Sequence, residues 1–286
     1  MYRFYYQILG FVSTTRLLNV IVLCLTQYLI SIYILAPERS LISLVLDFNL
    51  FIIVLVTAIS TLSGFIINNF YDSEKDRINR PKIFFLGNLI SEINQLKLYF
   101  LFNLIAIIIS ISISYKAFIF FSFYIFIIWL YSYRIKRLYW LSNFFSTAIV
   151  IYPFFGVTLY FGTFSLKVIL MALFLYNLLF LRDLVKDLQN IKGDLIQEYK
   201  TLPIIYGVYN TKILASFFSL FTFILSINLL KFQIGNIYFY YLLSIFFILI
   251  WIVYLWFCKD QKNYLWLRNF IKIWILIGVF SITLIS

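Results

Sequence analysis

The sequence predicts an all-α, polytopic membrane protein with nine helical spans, from three observations. The first is composition: 64% of the 286 residues are hydrophobic and only 12% are charged, about half the charge of an ordinary soluble domain, and the mean hydropathy is +0.98. The second is run length: long apolar stretches recur along the whole chain, and about 20 such residues let a helix cross the hydrocarbon core. The third is continuity: the strands of a membrane barrel would alternate over about ten residues and carry far more polar positions.

The spans are expected at about 13–35, 48–70, 96–114, 117–133, 141–162, 165–182, 212–230, 236–257 and 268–285. Charges punctuate them. The first lies before Arg39, and the second ends where Asp72 begins. Lys97, Lys116 and Arg134 bracket the third and fourth. The fifth follows the basic stretch "YSYRIKRL", and Lys167 and Arg182 bound the sixth. Lys212, Lys231 and Lys259 frame the seventh and eighth, and the ninth begins at Arg268. Residues 1–12 lack the basic, apolar, small-residue order of a cleaved signal, so the first span is expected to be retained. No linker or soluble module interrupts the pattern, so residues 1–286 read as a single membrane-embedded domain.

The net charge of +12 is lopsided. With the N-terminus placed in the cytoplasm, four of the 23 Lys and Arg (Arg39, Lys116, Lys167 and Lys231) fall outside and 19 inside. That is the positive-inside bias. It predicts a cytoplasmic N-terminus in a cell-membrane protein, and it accounts for the basic balance without a nucleic-acid partner. Cys24 and Cys258 have no metal-ligand spacing and read as packing residues. Histidine is absent, which excludes His-based acid–base catalysis, His-ligated haem and ordinary zinc catalysis.

Polar material concentrates in two inside segments, 71–95 and 183–211, which read as long loops following the second and sixth spans. Of eleven acidic residues, four fall in 72–92 and four in 183–198. In "NNFYDSEKDRINRP" (68–81), Asn68, Asp72 and Asp76 are each four apart. On a helix they share one face within about 80°. Pro81 should end that segment. In "LRDLVKDLQNIKGDLIQEYKTLP" (181–203), Asp183, Asp187, Asn190 and Asp194 share a face within about 60°. Gly193 is placed to end this helix early, which makes Asp194 the least secure member.

Carboxylates stacked at a membrane edge repel one another and lose hydration. Local ion pairs, such as Asp72 with Lys75 or Arg77, are one remedy. A divalent cation is the other, and oxygen-only ligands suit Mg²⁺, which takes one or two carboxylates plus substrate phosphates. Two such stripes on one membrane face favour the cation: two Mg²⁺ ions between them would hold a diphosphate. Arg16, Arg80, Lys82, Lys136, Arg137 and Lys186 are the basic residues at hand to neutralise it. A diphosphate that belongs in lipid is an isoprenyl diphosphate. Its tail needs an apolar cavity among the helices, and 22% aromatic residues supply walls for it. Aromatic faces also stabilise a nearby allylic cation.

The two motifs together resemble those of the UbiA family of intramembrane prenyltransferases. Asn68, Asp72 and Asp76, followed by "RINRP", look like its Asn-x3-Asp-x3-Asp signature. "RDLVKDLQNIKGD" followed by "TLP" looks like its second aspartate motif, and the resemblance covers the whole chain. It implies nine helices around a central apolar cavity and a magnesium-dependent transfer of a prenyl group from its diphosphate to an acceptor. Asp72, Asp76 and Asp187 would be catalytic. Asn68, Asp72, Asp76, Asp183, Asp187 and Asp194 would be metal ligands, with Arg16, Arg80, Lys136, Arg137 and Lys186 on the diphosphate. The active site would face the cytoplasm. The form of the second motif looks closest to the branch that transfers geranylgeranyl groups to glycerol phosphate lipids, and it is also similar to the quinone branch with aromatic acceptors. Three positions depart from the family pattern: Asn69 and Asn190 stand where Asp is common, and Asp183 where Glu is common. Asp183, one turn before Asp187, is placed to compensate for the second. The rival class is a non-catalytic binder or transporter of a lipid diphosphate.

Overall fold

The computed structural model describes residues 10–79, 81–87, 89–196, 198–232 and 235–285. Among them there is no strand, and nine helices are long and apolar enough to cross a membrane. These are α1 (Leu17–Ile30, continued by a wider turn over Ser31–Leu35), α2 (Phe48–Asn79), α3 (Glu92–Ile113), α4 (Tyr115–Tyr133), α5 (Tyr139–Phe161), α6 (Leu166–Ile196), α7 (Gly207–Leu230), α8 (Tyr238–Phe257) and α9 (Gln261–Ser281). The protein is an integral multi-pass membrane protein. All nine expected spans are present. The two polar segments are mostly helix instead of loop: α2 runs on to Asn79 and a short helix occupies Pro81–Gly87, while α6 runs on to Ile196 and a short helix occupies Leu202–Ile205. Proline opens the Pro81–Gly87 helix, where its missing N–H costs nothing.

The chain divides into two compact units, residues 1–28 with 40–136 and residues 29–39 with 137–286. In the first, α2 packs on α3 and α4. A run of polar pairs binds them. Ser63 donates to Asn103 Oδ1 at 2.6 Å, Thr61 meets the Tyr124 hydroxyl at 3.2 Å and Asn69 donates to Gln95 Oε1 at 3.2 Å. Small and hydroxylated residues serve this purpose where lipid offers no hydrophobic drive between helices. Gly64 takes the closest approach, since a Cβ there would lie 2.8 Å from Ile128 Cγ2.

In the second unit α6 is the central element, packed on α5, α7 and α9. Its buried residues include Leu178, Phe180, Leu184, Val185 and Leu188. Phe144, Phe180 and Phe218 join α5, α6 and α7, with ring centroids 4.8 Å (144–180) and 4.5 Å (180–218) apart. Trp274 stacks on Phe247 at 4.4 Å to tie α9 to α8. Lys212 of α7 donates to the Cys258 carbonyl at 2.7 Å, a cation on the carbonyls that end α8. α5 ends at Gly162, whose φ of 67° suits the left-handed cap and whose N–H returns to Thr158 O at 2.9 Å.

Candidate functional site

The first motif lies on the last turns of α2, within the first unit. Asn68 is half-buried. Asp72 Oδ1 pairs with Lys136 Nζ at 2.7 Å, with 17% of the Asp72 side chain and 5% of the Lys136 side chain exposed. Lys136 sits in a single tight turn, Ile135–Arg137, and its ammonium lies 5.6 Å from the Tyr71 ring centre. Tyr71 in turn contacts Tyr133 at 5.9 Å. The lysine is therefore held by a carboxylate and an aromatic face together. This pair is longer in range than the local ones, with Lys75 or Arg77, that the sequence suggested; the Lys75 side chain lies outside the described residues. Asn69 turns to α3 and bonds Gln95. Gln95 also donates to the carbonyls of Gly87 at 3.3 Å and Ile90 at 3.0 Å. A neutral amide at 69, where the family commonly has Asp, thus serves helix packing.

Arg16 belongs to the same unit. Its backbone φ of 47° is left-handed, in a turn between helical residues 10–15 and α1. Its guanidinium lies 5.3 Å from the centre of the Phe65 ring, about one turn before Asn68 on α2. Arg16 and Lys136 thus each lie against α2, the first at Phe65 and the second at Asp72 and Tyr71. The side chains of Asp76 and Lys82, and the whole of Arg80, lie outside the described residues.

The second motif lies on α6. Asp183, Asp187, Asn190 and Asp194 are 2%, 6%, 4% and 0% exposed, so the stripe faces inward, as its spacing requires. The helix does not end at Gly193. It continues to Ile196 because Gly193 and Asp194 are buried, and burial outweighs the weak helix preference of glycine. The stop comes later. Glu198 takes a φ of 54° and donates its N–H to Leu195 O at 3.2 Å, while Tyr199 donates to Asp194 O at 2.9 Å. That pair of bonds satisfies the last carbonyls.

Two residues of α5 reach this stripe, and the motif search missed both. Asn143 Nδ2 donates to Asp187 Oδ2 at 2.9 Å, and Ser146 donates to Asp183 Oδ2 at 2.6 Å. The other Asp183 oxygen accepts Nε and Nη2 of Arg182 at 3.2 and 3.0 Å. The signal was an amide and a hydroxyl three apart in an apolar span, since polar groups inside a membrane are seldom idle. Lys186 is half-buried beside the stripe and Arg137 is exposed. The donors are all oxygens, which suits a hard divalent ion. Among the described residues no three acidic or thiol side chains gather on one point. Magnesium does not require three when substrate phosphates and water complete its shell.

The profile of the UbiA prenyltransferase family matches residues 16–276. The chain belongs to this family. Among its relatives, the digeranylgeranylglyceryl phosphate synthase of Thermococcus sibiricus is 31% identical over 192 residues, 66% of this chain and 67% of the relative. That of Thermococcus gammatolerans is 30% identical over 212 residues, 72% of this chain and 74% of the relative. Among solved structures, one of a digeranylgeranylglyceryl phosphate synthase matches with a TM-score of 0.72 and 19% identity, covering 100% of this chain and 99% of the other. A UbiA homolog from Archaeoglobus fulgidus, bound to GPP and Mg²⁺, matches at 0.68 and 18% identity, covering 96% and 99%. At these identities the solved structures establish the fold. This UbiA-family chain is a membrane-embedded prenyltransferase.

Proposed function

We propose that the protein transfers a polyprenyl group from its diphosphate to geranylgeranylglyceryl phosphate or a closely similar lipid phosphate, with magnesium. The observation that carries this reading is the burial of acid in α6: Asp187 and Asp194 are 6% and 0% exposed, in a membrane protein. Buried carboxylates are costly unless cations meet them. The Thermococcus relatives, named for synthesis of digeranylgeranylglyceryl phosphate, support the acceptor class, and the Archaeoglobus neighbour, bound to GPP and Mg²⁺, supports the donor class and the ion. One domain spanning residues 1–286 would carry the activity, with the N-terminus and the site on the cytoplasmic side, where the Lys and Arg concentrate.

Asn68, Asp72 and Asp76 would hold magnesium in the first unit, and Asp183, Asp187 and Asp194 in the second. Magnesium, when bound, supplies the Lewis acidity that draws charge from the diphosphate as the C1–O bond ionises. Arg16, Lys136 and Lys186 would neutralise the remaining phosphate charge, with Arg80 and Arg137 as further cations. Lys136, already held by Asp72 and Tyr71, would reach phosphate with little loss of side-chain freedom. The acceptor oxygen forms the new bond to C1 and loses its proton, and diphosphate leaves.

The test uses purified protein, labelled geranylgeranyl diphosphate, Mg²⁺, geranylgeranylglyceryl phosphate and an aromatic acceptor. We expect transfer to the lipid phosphate, reduced by about 100-fold or more in Asp72→Ala and in Asp187→Ala. Undiminished transfer in either variant would remove that aspartate from the metal site. Transfer to the aromatic acceptor alone would place the protein in the quinone-type branch. Product with neither would leave a binder of lipid diphosphates.

A further inference from the structure

We propose that Gln95 is a positioning residue for the first acidic motif: its amide pins Asn69, and with it the end of α2 that carries Asn68 and Asp72, to the short helix Pro81–Gly87. The proposal rests on the prenyl-transfer reading above and concerns the first unit alone.

Gln95 is 2% exposed, in the first turn of α3. Its Nε2 donates to the carbonyls of Gly87 at 3.3 Å and Ile90 at 3.0 Å, and its Oε1 accepts from Asn69 Nδ2 at 3.2 Å. Chemistry fixes the direction of this chain. Backbone carbonyls only accept, so the N–H groups of Gln95 are committed to them and its oxygen faces residue 69. Residue 69 must therefore donate, and Asn does. Asp would set a carboxylate against an amide oxygen. An apolar side chain would leave that buried oxygen without its partner. The neutral amide at 69 is thus a requirement of the pair.

Close packing supports the same hold. Gly87 is buried, and a Cβ there would lie 2.9 Å from Asn69 Oδ1 and 3.1 Å from Nδ2. The short helix therefore lies directly on the amide. The turn that follows is packed as closely on the N-terminal helical residues: a Cβ at Gly10 would lie 2.9 Å from Leu89 Cβ and 3.2 Å from the Leu86 carbonyl. Asn68, Asn69 and Asp72 span little more than one turn of α2, so a hold on Asn69 sets the rotation of the other two. Lys136 meets the same end of the helix at Asp72. Gln95 acts through the phase of α2, as an outer partner orients a ligand from behind.

The experiment combines hydrogen–deuterium exchange across 81–95 with steady-state transfer kinetics, on the full chain in nanodiscs. Asn69→Asp and Gln95→Leu are each expected to speed exchange across 81–95 by about tenfold, because the turn opens locally. Both are expected to raise the KM for geranylgeranyl diphosphate by about tenfold, with kcat reduced by less than about threefold. Gly87→Ala is the mild variant. Its methyl group displaces the flexible end of the Asn69 side chain, so KM is expected to rise with the melting temperature nearly unchanged. Asn69→Asp that matches the native protein in exchange and in KM overturns the pairing. Exchange that rises in all three variants with KM unchanged overturns the positioning role and leaves Gln95 a packing residue. If Gln95→Leu fails to fold, Asn69→Asp and Gly87→Ala decide through the same readouts. Native protein that transfers no prenyl group removes the functional reading, and the positioning role with it, while the exchange rates still decide the pairing.

Discussion

Lys136 illustrates what a single residue does here that sequence position alone does not convey. From its place in "YSYRIKRL" it reads as one basic residue among several at a membrane edge. Folded, it is 7% exposed, pairs with Asp72 at 2.7 Å and lies over Tyr71, whereas its neighbour Arg137 is exposed. Side chains in one short motif thus have opposite surroundings. Lys136→Met keeps the length of the side chain and removes the charge, leaving Asp72 mostly buried beside an apolar group. We expect a loss of about 1–3 kcal/mol of stability and a higher KM for the prenyl diphosphate. Magnesium with inorganic diphosphate should return part of the lost melting temperature by supplying cations to the same carboxylate. A melting temperature equal to that of the native protein would mean that the pair has no structural weight.

Elements were legible to different degrees. The spans follow from hydropathy, and all nine form. The ends of α2 and α6 were harder, because polar residues after an apolar run look like a loop when no partner is visible. Gly193 is the instructive case. By local preference it is a stop, yet α6 passes through it to Ile196, since Gly193 and Asp194 are buried. The actual cap uses Glu198 at a φ of 54°, a left-handed conformation that costs a residue with a Cβ about 1 kcal/mol. Glu198→Gly should therefore raise stability by roughly 0.5–1 kcal/mol with an unchanged kcat, as thermal melting and transfer assays would show. A lower melting temperature would mean that the Glu198 side chain contributes more than its backbone strain costs.

For the whole molecule the solvent is lipid, which explains side chains such as Phe48, Ile250 and Phe257 at 72%, 69% and 73% exposure. The charge asymmetry bears on orientation. Reporter fusions within 198–201 should be active only in the cytoplasm, and fusions within 162–165 only outside, because Lys and Arg are held on the inner side. The reverse pattern would refute the cytoplasmic site. Composition, span number, the rotational phase of the α6 stripe and the family motifs were all readable from the chain, because hydropathy and the 3.6-residue period are local properties that add along a segment. The partners of the stripes were not. Asn143 lies 44 residues from Asp187, and Ser146 lies 37 from Asp183. Which amide meets which carboxylate depends on how far one helix is rotated and slid against another. Periodicity carries no record of that, so packing alone brought Asn143 to Asp187 and Ser146 to Asp183.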